Sequence, residues 1–154
     1  MHQIVGFEHL KVGQRVKIKG QSQQDGAFLA LDITPKPGDY EAEFEGVVQQ
    51  LDPAKHALRM LNRDFAVPAT ALIKDVTRQD SGLQAIQPGD VVKIKGTYSR
   101  AYGFLPAKLK VKERKSFNIE ELQGVIQSLN PEAGTLEVSG VTVRLSEKTI
   151  FEGF

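Results

Sequence analysis

The chain has 154 residues, no cysteine and a formal net charge of +1. Without cysteine there are no disulfides and no thiol chemistry, and a charge this close to zero marks no global preference for nucleic acid or a membrane surface. No run of roughly 18 apolar residues exists, so no membrane-spanning helix is expected, and residues 1–6 lack the basic and apolar regions of a signal peptide.

The apolar residues alternate with polar ones, which is the signature of strands. In chain order the first strand is expected over residues 15–19, where Val16 and Ile18 alternate with Arg15, Lys17 and Lys19. A second follows over 27–33. A long strand over 43–51 carries Gly46 near its middle, and Asp52-Pro53-Ala54-Lys55 then turns the chain into a short strand over 56–61. Asn62-Arg63-Asp64 is read as a further turn. The next strand, 65–73, is interrupted by Pro68, which puts its register in doubt. The best helical candidate in the chain is the short segment 78–86. Strands are expected over 90–95 and 104–112, and then over 121–128, 135–138 and 141–145, separated by turns at 130–134 and at Ser139-Gly140. The alternation puts Ile18, Val47, Ile94, Leu109, Val125 and Val143 in the core.

Much of this pattern occurs twice. Val12-Gly13-Gln14-Arg15-Val16-Lys17-Ile18-Lys19-Gly20 returns as Pro88-Gly89-Asp90-Val91-Val92-Lys93-Ile94-Lys95-Gly96, and Gly46-Val47-Val48-Gln49-Gln50-Leu51-Asp52-Pro53 returns as Gly124-Val125-Ile126-Gln127-Ser128-Leu129-Asn130-Pro131. The offsets are 76 and 78 residues. Repetition this tight means duplication. Three meandering strands, a crossover and two further strands are the order of the OB barrel. A glycine within the long first strand lets it bend between sheets. The second copy stops at Phe154, before its fourth strand, and its missing strands match those near the N-terminus. Thr70 lies 19 residues before Gly89, and Thr149 would lie 18 residues before Gly13 if the termini were joined. The expected fold is therefore all-β: two tandem OB-like five-stranded barrels, one of them circularly permuted across the termini. One barrel takes residues 42–115 and the other takes 1–36 with 116–154. Strands near Val16 and 27–33 must then pair with the C-terminal strands, in a monomer or in a domain-swapped dimer.

Four segments carry a resemblance. They are Gly46-Val47-Val48-Gln49-Gln50-Leu51-Asp52-Pro53, Gly140-Val141-Thr142-Val143, Thr149-Ile150-Phe151-Glu152-Gly153 and Gly89-Asp90-Val91-Val92-Lys93-Ile94-Lys95-Gly96. In these the chain resembles a bacterial repeat family, the domain of unknown function 5666. The resemblance implies an OB-like barrel and often an exported or periplasmic protein. It supplies no catalytic residues. The proline within Phe65-Ala66-Val67-Pro68-Ala69-Thr70 departs from the family pattern.

Signals for catalysis are poor. His2, His9 and His56 have no ligand spacing, so neither a metal site nor a cofactor is expected. Asp39, Glu41, Glu43 and Glu45 read as a solvated edge. No nucleophile elbow or phosphate loop appears, and the chain is read as no enzyme. The better constellation is basic and aromatic. Tyr98, Arg100, Tyr102 and Phe104 lie in the hairpin over 97–104, flanked by Lys93 and Lys95 on one side and by Lys108, Lys110, Lys112, Arg114 and Lys115 on the other. Rings at such a hairpin can stack on bases while the basic residues meet phosphates. Alternating lysines also serve a solvated strand face that resists aggregation. The equivalent loop, Gln21-Ser22-Gln23-Gln24-Asp25-Gly26, has neither rings nor base. The expectation is a non-enzymatic binding module for single-stranded nucleic acid or an anionic polysaccharide. The alternative is a structural or protein-interaction module of an exported bacterial protein.

Overall fold

The computed structural model describes residues 4–38, 41–113 and 120–154. Among these the chain forms strands and two single 3-10 turns, Phe7–His9 and Leu83–Ala85, and no α-helix. The strands are β1 (Arg15–Ser22), β2 (Phe28–Pro35), β3 (Glu41–Asp52), β4 (Ala57–Met60), β5 (Arg63–Ala66), β6 (Leu72–Lys74), β7 (Asp80–Ser81), β8 (Val91–Ser99), β9 (Gly103–Lys112), β10 (Glu120–Asn130), β11 (Thr135–Val138), β12 (Val141–Arg144) and β13 (Ile150–Phe151). Residues 39–40 and 114–119, which fall between the two expected barrels, lie outside the described residues.

Two local expectations change. The helical candidate 78–86 is a turn, a two-residue strand and a 3-10 turn. Asp75 is the cause: its Oδ1 accepts hydrogen bonds from Thr77 N at 2.9 Å, Thr77 Oγ1 at 2.6 Å and Gln79 N at 3.0 Å. Such side-chain bonds to nearby backbone compete with a helix. The strand expected over 65–73 divides into β5 and β6, because Pro68 has no N–H to give a ladder and its carbonyl instead accepts from Ala71 N at 3.0 Å.

The two halves of the pairing repeat each other. In the first, β3 pairs β4 and β8, β4 pairs β5, β8 pairs β9, and β6 runs parallel to β9. In the second, β10 pairs β11 and β1, β11 pairs β12, β1 pairs β2, and both β12 and β13 run parallel to β2. The N-terminal strands therefore complete the C-terminal set within one chain, as Val16↔Gly124, Val143↔Phe28 and Phe151↔Ile33 show. One pairing was not expected. β3 and β10, the long first strands of the two halves, lie side by side through Glu45↔Glu121, Phe44↔Leu122 and Glu43↔Gln123, making one thirteen-stranded sheet.

This joint produces a row of six directly paired residues, Leu109, Ile94, Phe44, Leu122, Ile18 and Ile33, all buried in the core. Ile18, Ile94, Leu109 and Val143 are buried as expected, whereas Val47 and Val125 are only half-buried and face the other way. Along β3 the inward positions are Ala42, Phe44, Gly46 and Val48. Glycine holds one of them, so the apolar pattern shifts by one residue there, and the same happens at Gly124.

Gly20 and Gly96 sit where β1 and β8 slip register against their hairpin partners. A Cβ at Gly20 would stand 2.0 Å from Leu29 O, and one at Gly96 would stand 2.1 Å from Leu105 O. Only glycine allows backbone to approach so closely.

Candidate anion-binding face

The face of the sheet opposite the core row is charged. One row reads Lys110, Lys93, Glu45, Glu121, Lys19, Asp32 across β9, β8, β3, β10, β1 and β2, and the next reads Lys108, Lys95, Glu43, Gln123, Lys17, Thr34. Direct cross-strand partners share a face, so alternation alone fixes these neighbours. Glu43 and Glu45 are 7% and 5% exposed, not the solvated edge expected of them. Glu41 is exposed, and Asp39 lies outside the described residues.

Buried carboxylates need partners. Lys93 Nζ lies 3.3 Å from Glu43 Oε2, and Lys95 Nζ lies 3.4 Å from Glu43 Oε1. Lys112 Nζ donates to Glu45 Oε1 at 2.8 Å. Lys17 Nζ lies 3.3 Å from Glu121 Oε1 in the other half. The lysine stems lie over the glutamates and carry their charged ends toward water. Glu43 Oε2 is nevertheless buried with no hydrogen bond. Lys93 is within ion-pair range of it, but off the line a hydrogen bond requires.

Lys108 and Lys110 have no carboxylate partner among the described residues. Together with Lys93, Lys95 and Lys112 they line a cavity of about 120 Å³. Arg78 is the largest influence holding the Lys110 amine below its ordinary value, followed by burial and by Lys112, Lys108 and Lys93. Crowded cations of this kind favour an incoming anion. Arg114 and Lys115, also expected at this cluster, lie outside the described residues.

The structure brings Lys93, Lys95, Lys108 and Lys110 together and separates them from the rings. Phe104 packs edge-on against Phe44 (centroids 4.8 Å) and Phe65 (6.0 Å), on the core side of the sheet. Tyr98 pairs with Phe104 across the hairpin and lies half-buried over Gly140, where a Cβ would stand 2.9 Å from its ring. Arg100 is exposed, with its Nη2 3.8 Å from Glu137 Oε1. Tyr102, at the hairpin tip, is 79% exposed. Tyr98 and Phe104 instead line a separate cleft of about 310 Å³ with Phe44, Phe65, Arg63 and Gly140. Arg63 donates there to Gly26 O at 2.9 Å and to Gly140 O at 3.3 Å, and burial pushes its guanidinium below the ordinary value. His56 is structural: its Nδ1 lies 2.8 Å from Val67 O.

Glu43 and Glu45 belong to the face and were missed as parts of it, whereas Lys112 was expected beside the hairpin and joins the face through Glu45. The repeat could have found them. At the 76-residue offset, Lys108, Lys110 and Lys112 correspond to Asp32, Thr34 and Lys36, so the matching strands share the last lysine and differ at the first two positions.

An all-β protein with the same strand pairing twice, and lysines on both strands of only one copy of the hairpin face, is the class these observations define. The sequence profile of the domain of unknown function DUF5666 matches residues 3–34, 45–103 and 123–154, and the chain belongs to that family. No curated protein and no solved structure matches the chain.

Proposed function

We propose that the chain is a non-enzymatic binding module of two OB-like barrels, residues 42–115 and residues 1–36 with 116–154, which holds an anionic polymer beside the hairpin over 97–104. The pairing order of each half supports the barrel reading. So does the division of the family match, whose end segments 123–154 and 3–34 would join across the termini to mirror 45–103.

The observation that carries the function is the contrast between the copies. If lysines on β9 served only to solvate a strand, β2 would do as well with the same residues. It has Asp32 and Thr34 where β9 has Lys108 and Lys110, and both strands are built into the same sheet. The fold therefore does not demand the uncompensated lysines, and a ligand gives them a reason. The test is binding of a fluorescent polyanion across a salt series. Each cation that meets the polymer releases counterions, so Lys110→Ala should reduce the slope of log K against log salt by about one. Absence of salt-dependent binding by the unmodified protein at about 50 mM salt overturns the reading.

A second reading, a protein-interaction module, draws on the cleft at Phe65 and Phe104. β12 pairs β2 at Val143↔Phe28 and Arg144↔Leu29, but no ladder joins the matching β5 and β9 among the described residues. Pro106, which replaces Ala30 of the other copy, has no N–H to offer there. An open seam between strands can accept an added strand. This reading takes over if no polyanion binds.

A further inference from the structure

We infer that the polymer is an acidic polysaccharide, a chain that presents hydroxyl groups beside its anionic groups. This rests on the anionic-polymer reading above and narrows it.

The first observation concerns the rings. Proteins that hold single-stranded nucleic acid combine cations that follow the backbone with rings on which successive bases stack. Here the lysines occupy one face of β8–β9, while Tyr98 and Phe104 occupy the other, Phe104 wedged against Phe44 and Phe65. A strand whose phosphates met Lys108 and Lys110 could not reach those rings with its bases. Tyr102 is exposed at the tip. The next row beyond Lys95 and Lys108 on the lysine face holds Thr97 and Leu105, both exposed, which suits a chain with apolar and hydroxylated faces and offers nothing for a base to stack on.

The second observation is Glu43. Its carboxylate is buried among the lysines, and Oε2 has no hydrogen bond. An ionised carboxylate only accepts. A phosphodiester of DNA and an inorganic polyphosphate chain bring no donor to it and add repulsion. A sugar hydroxyl beside a carboxylate or sulfate does both jobs. It donates to Glu43 as the neighbouring anion meets Lys108 and Lys110, and an acceptor left unmade in the free protein is satisfied. Lys93 and Lys95, which cover Glu43 on flexible stems, can swing outward to admit it.

The experiment titrates the full chain with four probes of matched charge number: a polyuronate oligosaccharide, inorganic polyphosphate, a single-stranded DNA oligonucleotide and an RNA oligonucleotide, each at about 50 and 200 mM salt. The unmodified protein should bind the polyuronate about tenfold or more tighter than polyphosphate or DNA, the worth of one hydrogen bond to a charged acceptor. Glu43→Gln should move the probes in opposite directions. It should weaken polyuronate binding about tenfold and strengthen polyphosphate binding, because one negative charge leaves the face. Equal or tighter binding of polyphosphate or DNA by the unmodified protein overturns the polysaccharide assignment and leaves the anionic-polymer reading intact. Tightest binding of RNA overturns it in favour of a hydroxyl-bearing nucleic acid. Salt-dependent binding of no probe sinks the anionic-polymer reading itself. The four-probe comparison on unmodified protein decides the matter even if Glu43→Gln does not fold.

Discussion

Deletion of residues 1–36 is expected to strip amide protection from β10, β11 and β12 while β3 to β9 stay folded. β1 pairs with β10 over six residues, from Arg15↔Val125 to Gly20↔Glu120, and β2 carries the parallel ladders to β12 and β13. The deletion removes Val16, Ile18, Phe28 and Ile33, each at most 1% exposed. Burial of such side chains contributes about 1.5–3 kcal/mol each, and small domains rarely hold more than about 5–15 kcal/mol in total. What remains for β10 is its hairpin with β11 and the three-residue pairing with β3 around Leu122↔Phe44. β3, β4, β5, β6, β8 and β9 keep their own pairings and their own buried residues, including Leu58, Met60, Ile86 and Leu109. Hydrogen exchange read by fragment is the measurement, because it resolves units that open separately. Retained protection over β10 to β12 would show that the C-terminal strands fold without the N-terminal pair.

Ile94→Ala is expected to cost about 2–5 kcal/mol. Ile94 is fully buried, with Phe44 on one side and Leu109 on the other in the six-residue core row. Neither neighbour can close the space without breaking a ladder that runs through both halves, so the cavity persists and the cost belongs at the upper part of that range. Urea unfolding at unchanged slope measures it. A loss under about 0.5 kcal/mol, the size of an ordinary surface substitution, would mean that the strand faces the other way.

Most of the strand order is legible in the sequence because it was written twice. The period of two found the strands, the offset aligned them, and the connection lengths brought residues 1–36 to the C-terminal strands. The faces were harder. Phe104, Pro106, Lys108 and Lys110 are all even-numbered, so simple alternation puts ring and lysines on one side. The register slip beside Lys95 and Gly96 turns the hairpin half of β9 over by one residue, and Phe104 goes to the core. Val47 and Val125 were misplaced because Gly46 and Gly124 hold inward positions without an apolar side chain to mark them. The burial of Glu43 and Glu45 comes from the β3–β10 pairing. Single strands do not announce which other edge they meet, so carboxylates at that edge look solvated until the second half is in place. The division of β5 from β6 was visible in Pro68, and the lost helix was visible in Asp75, whose carboxyl is held below its ordinary value chiefly by Thr77.

The lysine face can be moved from one half to the other by exchanging matched residues. Lys108→Asp with Lys110→Thr gives β9 the residues of β2, and Asp32→Lys with Thr34→Lys gives β2 those of β9. All four positions lie on outward rows, so each exchange should leave the unfolding midpoint nearly unchanged. The measurement is polyanion affinity of both double variants at about 50 mM salt. The account predicts that the β9 exchange weakens binding about tenfold or more, as two polymer contacts are lost, and that the β2 exchange adds a second site. Unchanged affinity after the β9 exchange would contradict it.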